Sequence, residues 1–120
     1  MKYRCLTNNP YIIERYKDLV EPFDGAPLEL FMKVRREILA GYKLITHPLT
    51  GSIGPYLNPY KSVILSAEKG PVDEESLYLI EQAITHTKNL LADYVKSTWD
   101  LKSKRDFQEL DFDFIKRFLT

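Results

Sequence analysis

Short strand-like runs alternate with helix-periodic segments along this chain, and that alternation constrains the fold more than any other feature. Tyr3 to Leu6 is short and, apart from Arg4, apolar. It is followed by Asn8, Asn9 and Pro10, where an asparagine suits the cap and proline the first turn of a helix. Ile12, Ile13, Tyr16, Leu19 and Val20 then recur at helical spacing. Val20 to Phe23 reads as a second strand, and Pro22 puts it at a sheet edge because proline cannot donate to a ladder. Pro27 opens a helix closed by Gly41. Tyr42 to Thr46 and Ser62 to Ser66 read as third and fourth strands. A long helix is expected over about 73–99 and a Phe-rich one over about 106–119. The pattern predicts a single α/β domain over residues 1–120. Its expected form is a small three-layer sandwich around a mostly parallel sheet of about four strands. The direction of the fourth strand stays open, because no helix is evident between it and the third.

Composition narrows the function. The 120 residues carry 17 basic and 17 acidic side chains, a formal net charge of zero. Nucleic-acid binders normally show a basic excess, so none is expected as partner. Cys5 is the single cysteine, which excludes an internal disulfide and a zinc site built on several cysteines. No segment approaches the roughly 18 apolar residues of a membrane span, and the N-terminus lacks a signal-like apolar run. A cytoplasmic protein with no membrane partner, no metal and no cofactor is expected.

The stretch from Leu44 to Lys61 is the candidate site. Ligands of parallel α/β sheets collect outside the carboxyl ends of the strands. Thr7, Asn8 and Asn9 follow the first strand; Thr46 and His47 end the third and lead to Thr50, Gly51 and Ser52. If those strands are neighbours, the two groups face one crevice between 7–9 and 46–61. From Gly41 to Ala67 there is no acid, while Lys43, His47 and Lys61 are present. That balance suits a small anionic ligand, a carboxylate or a phosphate. His47 is the candidate catalytic residue, as general acid or base. The plainer readings are a helix cap for Asn8 or Asn9 and a turn-fixing hydrogen bond for His47. His86 reads as a surface or packing residue and Cys5 as core. Asp106, Glu109, Asp111 and Asp113 read as the wet face of the last helix. The chain has no P-loop and no Gly-x-Ser-x-Gly elbow.

Leu6-Thr7-Asn8-Asn9-Pro10, Leu44-Ile45-Thr46-His47-Pro48-Leu49-Thr50-Gly51-Ser52 and Asn58-Pro59-Tyr60-Lys61-Ser62-Val63 together resemble the GrdX family. These are small proteins encoded with the glycine, sarcosine and betaine reductase systems of anaerobic bacteria. The similarity reaches to about residue 90 and is sharpest from Leu44 to Ser66. The resemblance implies an accessory role in amino-acid reduction, with reductase components as partners, and assigns no reaction or catalytic residue. Two functions follow as expectations. One is a binding or accessory module holding an anion or a partner segment in the crevice. The other is a small enzyme with His47 as acid or base and Lys61 holding a carboxylate or phosphate. The Phe-rich last helix also makes a homo-oligomer an expectation.

Overall fold

A computed structural model describes residues 2–49, 58–93 and 100–119, with the backbone alone for 91–93. β1 (Tyr3–Thr7) is the central strand. β2 (Glu21–Pro22) lies parallel to it on one side, pairing Leu6 with Glu21 and Thr7 with Pro22. β3 (Ser62–Ser66) lies antiparallel on the other side, pairing Cys5 with Ile64 and Thr7 with Ser62. The expected sheet of about four mostly parallel strands is therefore corrected to three strands of mixed direction. Pro22 does lie on an edge strand.

The difference lies in residues 42–46. They run antiparallel beside β3 but keep one bridge, Leu44 to Leu65. The Ile45 amide donates to the Ile64 carbonyl at 2.9 Å and the Ser66 amide to Lys43 at 2.8 Å. Side-chain hydroxyls take over where ladder partners would stand. Lys43 N–H donates to Ser66 Oγ, Leu44 N–H to Ser76 Oγ, and Thr46 Oγ1 accepts the Ile64 amide. Backbone groups satisfied by hydroxyls leave no row of free donors for another strand, which blunts the edge.

Residue alternation builds the layers. Leu6, Val63 and Leu65 point to one face, under α2 (Pro27–Leu39) and α3 (Glu74–Asp93). Their core partners are Leu30, Phe31, Val34, Ile38, Ile80 and Ala83. Cys5 and Ile64 point to the opposite face, under α1 (Pro10–Arg15) and α4 (Leu101–Ile115), with Ile12, Ile115 and Leu119. Each large apolar side chain so buried contributes about 1.5–3 kcal/mol.

Local chemistry sets the helix ends. Asn9 Oδ1 accepts the Tyr11 amide at 3.0 Å and caps α1. Asp73 accepts the Ser76 amide at 3.0 Å and its hydroxyl at 2.6 Å ahead of α3. Asp100 accepts the Ser103 amide at 2.7 Å, so α4 begins at Leu101, ahead of the helix expected over about 106–119. After α2, Gly41 takes φ +114°, and a Cβ there would stand 2.4 Å from the Gly70 carbonyl oxygen.

Candidate functional site

Thr7 ends β1 and Ser62 begins β3, and the two are register partners on the sheet face that α4 covers. Their hydroxyl oxygens are 2.7 Å apart. The Ser62 hydroxyl donates to Asp111 Oδ2 of α4 at 2.7 Å. Its one proton is thereby used, so the Thr7 hydroxyl donates to Ser62, while Thr7 Oγ1 accepts the Asn9 amide at 3.0 Å. Asn9 Nδ2 donates to Asp111 Oδ2 at 3.0 Å and to the Gln108 carbonyl at 2.9 Å. One carboxylate thus gathers two strand ends and a helix cap.

Asn8 and Asn58 extend this seam. The Asn8 amide donates to the Lys61 carbonyl at 3.2 Å, and the Lys61 amide returns to Asn8 Oδ1 at 2.7 Å. Asn8 Nδ2 also reaches the carbonyls of Gly25 and Pro59. Asn58 accepts the Tyr60 amide at 2.9 Å and donates to the Phe107 carbonyl of α4 at 3.1 Å. Local turns and tertiary docking use the same amides.

Lys61 and Asp111 are 1% and 2% exposed, so two charge-bearing groups are buried in one place. Burial disfavours the charged form of each. It pulls the Lys61 ammonium down to about 8, against the attraction of Asp111. Burial also raises the Asp111 carboxyl above the usual range, against the hydrogen bonds from Ser62 and Asn9 and the attraction of Lys61. Such a cluster locks elements together and holds a carboxylate in a dry site.

Of the sequence-predicted residues, Thr7, Asn8, Asn9 and Lys61 come together here. Thr46 and His47 line a different place. His47 is exposed, and its Nδ1 accepts the Leu49 amide at 3.1 Å, the turn-fixing role. The neutral ring then carries its proton on Nε2. Thr46 and His47 border an open hollow of about 400 Å3 with Ile45, Asp113, Phe114 and Arg117. Thr50, Gly51 and Ser52 lie outside the described residues. His86 is exposed on α3. Cys5 is buried, with its thiol pushed up to about 12 mainly by burial, which leaves it unreactive.

Sequence reasoning missed Asp111, Ser62 and Asn58. Asp106, Glu109 and Asp113 are on the wet face as expected, but Asp111 is buried, which corrects its assignment. A signal was present: Asp111 is four residues after Phe107 and four before Ile115, inside the apolar stripe. Among the described residues, no group of three or more His, Cys, Asp or Glu side chains is placed to hold a metal. No helix among them is long and apolar enough to cross a membrane.

These features define a small mixed α/β protein whose C-terminal helix is pinned to the sheet by a buried carboxylate. The chain belongs to the GrdX-like protein family, whose model matches residues 4–120 and so runs through α4. No curated protein and no solved structure matches it.

Proposed function

We propose that this chain is a cytoplasmic accessory or binding module serving glycine, sarcosine and betaine reduction. Membership of the GrdX-like family supplies the context. The observation that carries the binding reading over an enzymatic one is how the polar side chains of the seam are used. Thr7, Asn8, Asn9, Asn58 and Ser62 direct their hydrogen bonds into the fold, and the anion they gather is Asp111. Groups committed this way position backbone and helix; they are not poised to move protons on a substrate. In this reading the Lys61 charge draws a small anion to the place where 7–9 meet 58–61.

The tagged protein is expected to capture reductase components from a lysate of cells expressing them. Amide NMR of the labelled protein titrated with phosphate is expected to show shifts centred on 7–9 and 58–62. Loss of capture and absence of phosphate shifts together would overturn the reading.

A second reading, a small enzyme with His47 as general acid or base on a carboxylate- or phosphate-bearing metabolite, draws on one observation. His47 shares its hollow with Asp113 and Arg117. It requires that His47→Ala abolish any turnover found while the fold survives.

A further inference from the structure

α2 and α3 cover one face of the sheet, and their own outer side carries a surface that nothing described above uses. Two links fix how they run. Arg35 of α2 meets Glu81 of α3 at 3.4 Å, and beyond the C-terminus of α2 the Gly41 carbonyl accepts the Gly70 amide at 2.9 Å, just ahead of α3. The helices are therefore antiparallel. One turn past the Arg35–Glu81 pair, Leu39 comes beside Leu77 and Tyr78. The Gly41–Gly70 hydrogen bond brings Val72 to the same end.

This end of the helix pair is apolar and open. Leu39 is 52% exposed, Tyr78 63% and Val72 45%, while Leu77 packs inward against the core. Single exposed apolar residues are ordinary, but several gathered at one place form a patch of the kind that marks an interaction surface. The charges around it are sorted by helix. Arg35 and Arg36 stand on α2, about one turn before Leu39; Glu74, Glu75 and Glu81 stand on α3, about one turn to either side of Tyr78. Glu37, the acid of the same α2 turn, is held by Arg4 at 2.8 Å on the other flank. Arg36, Glu74 and Glu75 make no ion pair among the described residues. The Arg35–Glu81 pair is long and joins side chains 34% and 48% exposed, so it exchanges partners readily.

A surface that is basic on one helix, acidic on the next and apolar between them is complementary to itself. A two-fold axis running along the helices sets α2 of one copy against α3 of the other. That rotation keeps height along the helices, so Leu39 meets Tyr78, and Arg35 and Arg36 meet Glu81. We infer that this face pairs two copies of the chain, with Leu39 and Tyr78 at the centre of the contact and the charges of α2 and α3 matched across it. A partner carrying one sign of charge is attracted by one helix and repelled by the other, which favours a second copy as the occupant. The inference does not rest on the proposed function.

Sedimentation equilibrium of the full chain at low ionic strength is expected to show a concentration-dependent dimer, weakened by salt because its rim is charged. Leu39→Lys and Tyr78→Lys are each expected to weaken it by about tenfold or more. Arg36→Glu and Glu81→Lys each set like charges across the contact and are each expected to weaken it about fivefold. The double variant exchanges the two signs and is expected to dimerise about threefold more tightly than either single one. All four side chains are exposed, so the variants are expected to keep the wild-type thermal melt. A monomer at every concentration up to about 1 mM, a dimer unmoved by Leu39→Lys and Tyr78→Lys, or a double variant no tighter than the single ones overturns the inference. A monomer that loses reductase capture in Leu39→Lys assigns the patch to that partner and overturns it as well. Phosphate shifts at 58–62 and reductase capture by the wild type are read independently of mass, so failure of the dimer is distinct from failure of the proposed function.

Discussion

Asp111 ties α4 to the sheet and to the α1 cap, because its acceptors serve Ser62 and Asn9 while its charge attracts the buried Lys61 ammonium. Removing its carboxylate leaves two buried donors, the Ser62 hydroxyl and the Asn9 side-chain amide, short of an acceptor, at about 1–3 kcal/mol each. Asp111→Ala is therefore expected to cost that much in urea denaturation, and Asp111→Asn less, since the amide oxygen still accepts a proton from Ser62. A loss below about 1 kcal/mol for the alanine variant would mean that the network relaxes without it. Lys61 gives a pH signature. Its pKa falls from 10.5 to about 8 on folding, so between those values the unfolded chain holds more protons. Stability must then rise with pH across that window, by about 3 kcal/mol. Lys61→Met is expected to abolish that slope, as read from denaturation midpoints at pH 7.5 and 10; an unchanged slope would assign it to another group. Gly41→Ala places a Cβ against the Gly70 carbonyl at a φ that side chains rarely adopt, and is expected to cost at least about 2 kcal/mol.

At the scale of elements, α4 is the lid of one core layer. Phe112 packs on the rings of Tyr11 and Tyr16 at 5.3 and 5.7 Å, Phe118 meets Tyr3 edge-on at 5.2 Å, and Ile115 and Leu119 close over Cys5 and Ile64. The Phe-rich stripe is thus largely used within the chain. Leu101 and Phe114 are its large apolar side chains left exposed among the described residues. A chain ending at Trp99 is expected to lose cooperative thermal unfolding and to bind a hydrophobic dye, because Ile12 and Ile64 become solvent-exposed. A sharp, unshifted melt of that truncated chain would show that α4 is dispensable to the core.

At the scale of the molecule, the buried seam and the open hollow draw on the same stretches of chain. α4 contributes to both: Asp111 to the buried seam, and Asp113 to the open hollow, which Arg117 just past the helix also lines. Thr7, Asn8 and Asn9 were legible as a cap and a polar strand end, and Asn9 is that cap. That they meet Lys61 follows from the antiparallel pairing of β1 with β3, which sets Thr7 beside Ser62. That Thr46 and His47 stand apart from them was not legible. The sequence reading assumed that neighbouring parallel strands aim their carboxyl ends at one crevice. Here β3 runs antiparallel to β1, and the 42–46 segment antiparallel to β3.

By itself the sequence determined the cap at Asn9, the edge position of Pro22, and the apolar spacing of the helices. Those features depend on hydrogen bonds and periodicities that close within a few residues, so they can be read locally. Only the tertiary structure decided the direction of β3 and the burial of Asp111, whose partners Ser62 and Asn9 stand 49 and 102 residues away. Strand direction follows from which distant segments pair. The desolvation of Lys61 and Asp111 depends on what packs over them, and neither is written in the neighbouring residues.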